Sequence, residues 1–290
     1  MRDTITSPRV EIMKRKRRAY KVRLSILLFI LLTSIIFALA YFSFHVRVTL
    51  QNVAVSGTRV INMTDVETRV REDFSGKYLR LFSKANSFIY PHNYIYNDLL
   101  KQFPRIKELS VYRDNLTTLH IGITERAGSY LYCGKVVPEV QTDIGENCYF
   151  INDDGYIFDK APYFSGNVYF KYYMSVTSND NSALLGSQVI DKERFHALTR
   201  FKDGIEYLGF KPIYLVIEED GAHTMYLNRD KSTTIPKIIF RKDDDLVTIL
   251  DNLNTAMSKK EFANEINSKY STLLYIDLRF NNKVVYKFQE

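Results

Sequence analysis

Apolar positions along the chain change their spacing several times, and each change predicts an element. Leu24 to Phe44 is a run of 21 residues without a charge. As a helix it would be about 32 Å long, matching a hydrocarbon layer of about 30 Å. Leu50 to Val55 is a short apolar run closed by Ser56-Gly57, which predicts a strand and a turn. Thr64-Asp65-Val66-Glu67 has the form of a capping box, and Val66, Val70 and Phe74 follow at helical spacing. Pro91 precedes a second helical stripe of Ile95, Leu99, Leu100 and Phe103, which Pro104 stops. Ile106 to Arg113 reads as a strand. Asp114-Asn115 makes a turn, and Leu119, Ile121 and Ile123 alternate with polar or small residues as in a half-buried strand. The order is strand, helix, helix, strand, strand. Residues 82–91 form a longer connection than such a unit needs.

The remainder is richer in strands, expected near 129–133, 148–152, 155–158, 167–174, 213–218, 223–228 and 236–241. Two helices interrupt them. One covers about 191–208, with Phe195, Leu198, Ile205 and Leu208 inward and Gly209 as its stop. The other covers about 245–257, with Leu246, Ile249, Leu250, Leu253 and Met257 in register. Leu273 to Phe280, a turn at Asn281-Asn282, and Lys283 to Phe288 predict a closing hairpin. The expectation is an α+β chain in four parts: a basic tail (1–23), a transmembrane helix (24–44), a small mixed domain (48–126), and a mostly antiparallel β domain with two helices (127–290).

Charge changes this picture only at the N-terminus. The net charge is +7. Residues 1–23 carry nine Lys or Arg against Asp3 and Glu11, which is the whole excess, so the rest of the chain is formally neutral. A basic body that binds nucleic acid is therefore excluded as the first reading. The cluster Lys14 to Arg18 instead marks the cytoplasmic side of a membrane span, with residues 45–290 outside. Tyr41, Phe42 and Phe44 at the far end suit an interfacial aromatic belt. Ala38-Leu39-Ala40 also fits a cleavage site of a signal peptide. The long charged leader and the continuation of the apolar run past that site favour an uncleaved anchor.

Both cysteines, Cys133 and Cys148, lie in the exported part, at the ends of two predicted strands that flank a loop. A bridge there would close a ring of about 15 residues, worth up to about 3 kcal/mol. Two reduced, half-buried thiols are the alternative.

Signals for bond-making chemistry are sparse. The five histidines are scattered, with no metal-ligand spacing, and neither a phosphate loop nor a nucleophile elbow occurs. No cofactor, metal or small-molecule substrate is expected. Glu218-Glu219-Asp220 and Asp243-Asp244-Asp245 are the dense acidic groups. A carboxylate pair among them would suit a membrane-anchored, exported cell-wall hydrolase, although strand ends and helix starts are where solvated acids are expected. The closing strand, Lys283 to Phe288, ends two residues before the chain does. At a sheet edge its free N–H and C=O groups would accept another chain. Val284, Tyr286 and Phe288 share one face of it.

Three stretches, in this order and spacing, carry a resemblance. They are Val53-Ala54-Val55-Ser56-Gly57, the run from Pro104-Arg105-Ile106 through Val111-Tyr112-Arg113 and Leu119-His120-Ile121 to Glu125-Arg126, and Tyr275-Ile276-Asp277-Leu278-Arg279-Phe280. The layout resembles the bacterial FtsQ/DivIB cell-division family, which has a short cytoplasmic tail, one span, a POTRA domain and a β domain. The resemblance implies a non-enzymatic divisome scaffold in the cell membrane at the division septum. Its partners would be FtsB/DivIC-like and FtsL-like division proteins, the former bound at the final strands. Carried over by position, Tyr275, Arg279, Phe280, Asn282 and Val284 would line that contact, and Phe288 stands where some relatives have tryptophan. The chain departs from the pattern in Gly128, where a proline is usual, in the long loop at 82–91, and in the turn Asn281-Asn282-Lys283.

Overall fold

The structure is a computed structural model. It describes residues 8–135, 137, 147–162, 164, 167–176, 184–218, 221–228, 235–280 and 283–290. The chain divides into two compact units, Met1–Gln102 with Glu108–Thr124, and Phe103–Lys107 with Glu125–Glu290.

The first unit opens with helix α1, Pro8–Ser43, 36 residues long. The segment Arg15–Ser43 is long and apolar enough to cross a membrane. Its large apolar side chains, such as Phe29 and Phe37, are exposed all round rather than gathered on one stripe. That distribution suits an apolar solvent and would be costly in water. Thr33 satisfies its hydroxyl within the helix, donating to the carbonyls of Phe29 and Ile30 at 3.0 and 2.9 Å. The helix begins well before the apolar run because Lys and Arg are good helix formers.

Strand β1 (Asn52–Ser56) is followed by α2 (Met63–Asp73), a short hairpin of β2 (Lys77–Tyr78) and β3 (Phe82–Ser83), α3 (His92–Gln102), β4 (Ile106–Asn115) and β5 (Thr118–Glu125). The strands form one sheet in the order β1-β5-β4, with β1 and β5 parallel. Gly57 turns the chain out of β1 at φ +84°, where a Cβ would lie 2.1 Å from the Ile123 carbonyl oxygen, so no larger residue fits. Helix α2 starts two residues earlier than the capping box predicts. The N-cap is Asn62, whose side chain accepts from the Thr64 N–H at 3.0 Å. Asparagine is among the best N-caps, and here it displaces Thr64 from that role. Val66, Val70, Ile95, Leu99, Leu119 and Ile121 are wholly buried, as their spacing predicts.

The second unit contains β6 (Tyr130–Tyr132), β7 (Tyr149–Ile151), β8 (Ile157–Lys160), β9 (Lys171–Met174), α4 (Lys192–Tyr207), β10 (Pro212–Ile217), β11 (Ala222–Leu227), β12 (Lys237–Arg241), α5 (Leu246–Met257), α6 (Lys260–Ser268), β13 (Leu273–Phe280) and β14 (Lys283–Phe288). Its strands form one nine-stranded sheet in the order β14-β13-β12-β11-β10-β9-β6-β7-β8. The sheet is mixed. Contacts β9–β10, β6–β9 and β12–β13 are parallel. Two of these three join strands separated by helices, α4 in one case and α5 with α6 in the other, as a parallel connection requires. The expectation of two helices therefore fell one short. Phe195, Leu198, Phe201 and Ile205 of α4 and Leu246, Ile249 and Leu253 of α5 build one core with Ile276, Leu273, Phe240, Ile238 and Met225 of the sheet.

Arg105 holds this unit's entry. It donates to Glu125 at 2.9 Å and also pairs with Asp159. Arg126 donates to the Pro104 carbonyl at 3.1 Å and lies over the Tyr156 ring. Cys133 and Cys148 are bridged, with Cα atoms 4.2 Å apart, between the ends of β6 and β7.

Candidate functional site

The two borders of the large sheet are treated differently by the chain. Beyond β8, residues 184–189 run alongside its start and cover that end of the border. Gly186 N–H donates to the Ile157 carbonyl at 2.8 Å, and Ile157 N–H to the Ser187 carbonyl at 2.9 Å. The other border is β14, which pairs with β13 alone among the described residues. Gln289 N–H donates inward to the Thr272 carbonyl at 2.7 Å. Backbone groups alternate in direction along a strand. Counting back from Gln289, the amides of Lys287, Val285 and Lys283 also face β13, and those of Phe288, Tyr286 and Val284 face outward.

The register between β13 and β14 sorts the side chains by face. Tyr286 opposes Ile276, and Phe288 opposes Leu273. Both partners are fully buried, so this is the core face. Val284, Tyr286 and Phe288 all pack against the core from there. Helix α6 backs them: the Phe262 and Tyr286 rings meet edge-on at 5.1 Å, and the Tyr286 hydroxyl donates to Glu265 at 2.8 Å. That bond lowers the pKa of Glu265 and raises that of Tyr286. Lys269 pairs with Glu265 at 3.0 Å and lies over the Phe288 ring. A cleft of about 260 Å³ opens between α5, α6 and β14, lined by Asn252, Thr255, Ala256, Lys259, Phe262 and Val284.

The opposite face carries Tyr275 against Lys287, Asp277 against Val285, and Phe280 against Lys283. Phe280 is 48% exposed and Val285 38%. Asp277 is buried, and Arg279 covers it through bonds of 2.9 Å from Nε and 2.7 Å from Nη2. Burial alone would raise the Asp277 pKa, but the Arg279 side chain and N–H outweigh it and hold the carboxylate low. Arg279 is thus committed within its own strand. The predicted contact residues fall on two faces: Tyr275 and Phe280 outward, Val284, Tyr286 and Phe288 inward with their backbone at the border. Asn282 lies outside the described residues, as does Asn281.

Helix α6 is the part of this site that sequence reading missed. Its signal was Phe262 and Ile266 at i, i+4, with Glu265 and Lys269 likewise spaced. Nine residues were too few to stand out from a loop.

Of the acidic groups weighed for hydrolysis, Asp244 and Asp245 have local duties. Asp245 caps α5 by accepting from Val247 N–H, and Asp244 accepts from Arg241 N–H at 2.6 Å. Glu218 and Asp191 line a cleft of about 550 Å³, and Asp191 caps α4 through the Arg194 N–H. Glu219 and Asp220 lie outside the described residues. Among the described residues, no group of three or more His, Cys, Asp or Glu is placed to hold a metal ion. Neither a model of a known protein family nor a curated protein matches the chain.

Proposed function

We propose that this chain is a membrane-anchored adaptor of the FtsQ/DivIB cell-division type. It performs no bond-making of its own and binds FtsB/DivIC-like and FtsL-like partners outside the membrane. The observation that carries the reading is the unequal treatment of the two sheet borders: residues 184–189 cover the start of β8, whereas no strand lies beyond β14 among the described residues. An added strand would gain main-chain hydrogen bonds from Val284, Tyr286 and Phe288. A neighbouring side chain of the partner would enter the cleft beside Val284. Lys283 and Lys287 discourage indiscriminate pairing and favour an acidic partner. In this reading the strand-helix-helix-strand-strand unit is a POTRA domain. By the positive-inside bias, the basic N-terminal part of α1 lies in the cytoplasm of a bacterial cell and residues 45–290 lie outside, at the septum.

The test is binding of the full-length protein to the purified FtsB/DivIC-like coiled-coil protein of the same cell. Tyr286→Pro removes an outward N–H and is expected to weaken binding by at least about tenfold, or 1.4 kcal/mol. Tyr286→Phe keeps the backbone, loses only the Glu265 bond, and is expected to bind within about threefold of the parent. A folded proline variant with unchanged affinity would refute the reading.

A further inference from the structure

The connection between α2 and α3 is longer than its unit needs, and the structure shows what it does. Hairpin β2–β3 folds back onto the end of α1. Ser83 N–H donates to the Ser43 hydroxyl at 3.1 Å, and the Asn86 side chain donates to the Ser43 carbonyl at 3.2 Å. Ser87 N–H donates to the Val48 carbonyl, and Leu50 N–H to the Ala85 carbonyl, both at 2.8 Å. Lys77 lies 5.1 Å from the centre of the Phe44 ring. Ser43, Ser83, Asn86 and Ser87 are all buried in this joint.

The hairpin's tip is built unlike an aqueous turn. Leu81 N–H closes it onto the Tyr78 carbonyl at 2.9 Å. The two central residues, Leu79 and Arg80, have φ of +47° and +61°. Glycine and asparagine normally hold such positions, because a side chain is strained there. Leu79 is nevertheless 87% exposed, and Leu81, Phe88 and Ile89 are exposed nearby. Residues 74–97 contain Lys77, Arg80 and Lys84 but no acid, and no acid occurs between Glu11 and Asp65. A charge-free span of Leu24 to Phe44 places Ser43 at the edge of the hydrocarbon layer. The register Lys77↔Ser83 and Tyr78↔Phe82 puts Leu79 two residues beyond the Lys77–Ser83 pair, about 7 Å at strand spacing. Directed towards the bilayer, that reach would end within its polar layer, which adds roughly 5–8 Å on each side.

We infer that the β2–β3 hairpin is a second membrane contact, with Leu79 and Leu81 seated in the interfacial layer and Lys77, Arg80 and Lys84 on phospholipid phosphates. The occupant of this surface is the leaflet into which α1 runs, because the joint to Ser43 holds the tip beside it. Apolar residues flanked by cations are the composition that binds such an interface. The inference rests on the membrane-anchor reading above.

The experiment uses full-length protein in phosphatidylethanolamine–phosphatidylglycerol vesicles carrying spin-labelled lipids. The native cysteines are bridged, so a fluorophore is placed on Leu79→Cys or, in the middle of the span, on Leu32→Cys. The expected result is strong quenching of the Leu32 probe by deep labels and of the Leu79 probe by labels near the headgroup. Replacing Lys77, Arg80 and Lys84 by Gln is expected to reduce quenching of the Leu79 probe several-fold. A quenched Leu32 probe with a Leu79 probe reached only by aqueous iodide would overturn the hairpin inference and leave the anchor standing. A Leu79 probe shielded from both quenchers, as under a second protein, would overturn it too. Failure at Leu32 would overturn the anchor reading and the inference with it.

Discussion

Asp73, at the end of α2, has one carboxylate oxygen 3.9 Å from Arg69 Nε and the other without a hydrogen-bond partner. Burial, reinforced by the charge of Asp98, pushes its pKa up to about 6, and Arg69 offsets this only in part because Asp98 already holds it at 2.6 Å. A raised folded-state value means that the folded chain binds the proton more tightly than the unfolded chain. Stability from this group is fully present below its unfolded value near 4 and is lost as pH rises through about 6. Asp73→Asn should therefore stabilise the first unit at pH 7.5 by up to about 3 kcal/mol, with the gain vanishing towards pH 4. Urea unfolding of both proteins in detergent across that range checks it. A constant difference would locate the effect elsewhere. Other residues were legible only in part. Asp277 and Arg279 lie two apart in a strand, so a shared face was predictable, yet either an internal pair or a partner's carboxylate fitted the sequence. The structure commits Arg279 to Asp277. Alternation put Val284, Tyr286 and Phe288 on one face. Whether that face met the core or a partner depended on α6, which the sequence pattern did not reveal.

Elements with a sustained period were readable. The stripes of α4 and α5 and the alternation in β5 place most of the residues that the structure buries, although the α4 stripe omitted buried Phe201 and included half-buried Leu208. Elements below that length were not. Strands β2 and β3 have two residues each and no period to detect. Strand direction was equally hidden, because β9 and β10 show the same apolar runs whether paired parallel or antiparallel. The Cys133–Cys148 bridge ties β6 to β7 at the far side of the sheet from β14. Replacing both cysteines by serine is expected to cost about 2–3 kcal/mol of stability in the second unit, measured by thermal unfolding. Affinity for the partner should be unchanged. Lost affinity in a folded double variant would mean that the β14 border is not an independent site.

At the scale of the whole molecule, the long apolar helix and the general order of strands and helices followed from composition and periodicity. The mixed sheet, the cover over the start of β8 and the border left open at β14 among the described residues were not legible, because pairing between distant strands leaves no local trace. The functional account stands on that open border. Its most direct test is residue-resolved amide hydrogen exchange on the full-length protein, alone and with the FtsB/DivIC-like partner. In the protein alone, the amides of Val285, Lys287 and Gln289 are expected to be protected, while those of Val284, Tyr286 and Phe288 exchange quickly. The partner should slow the second set and leave the first unchanged. Protection of Val284, Tyr286 and Phe288 in the isolated monomer, or rapid exchange persisting in the complex, would contradict the account.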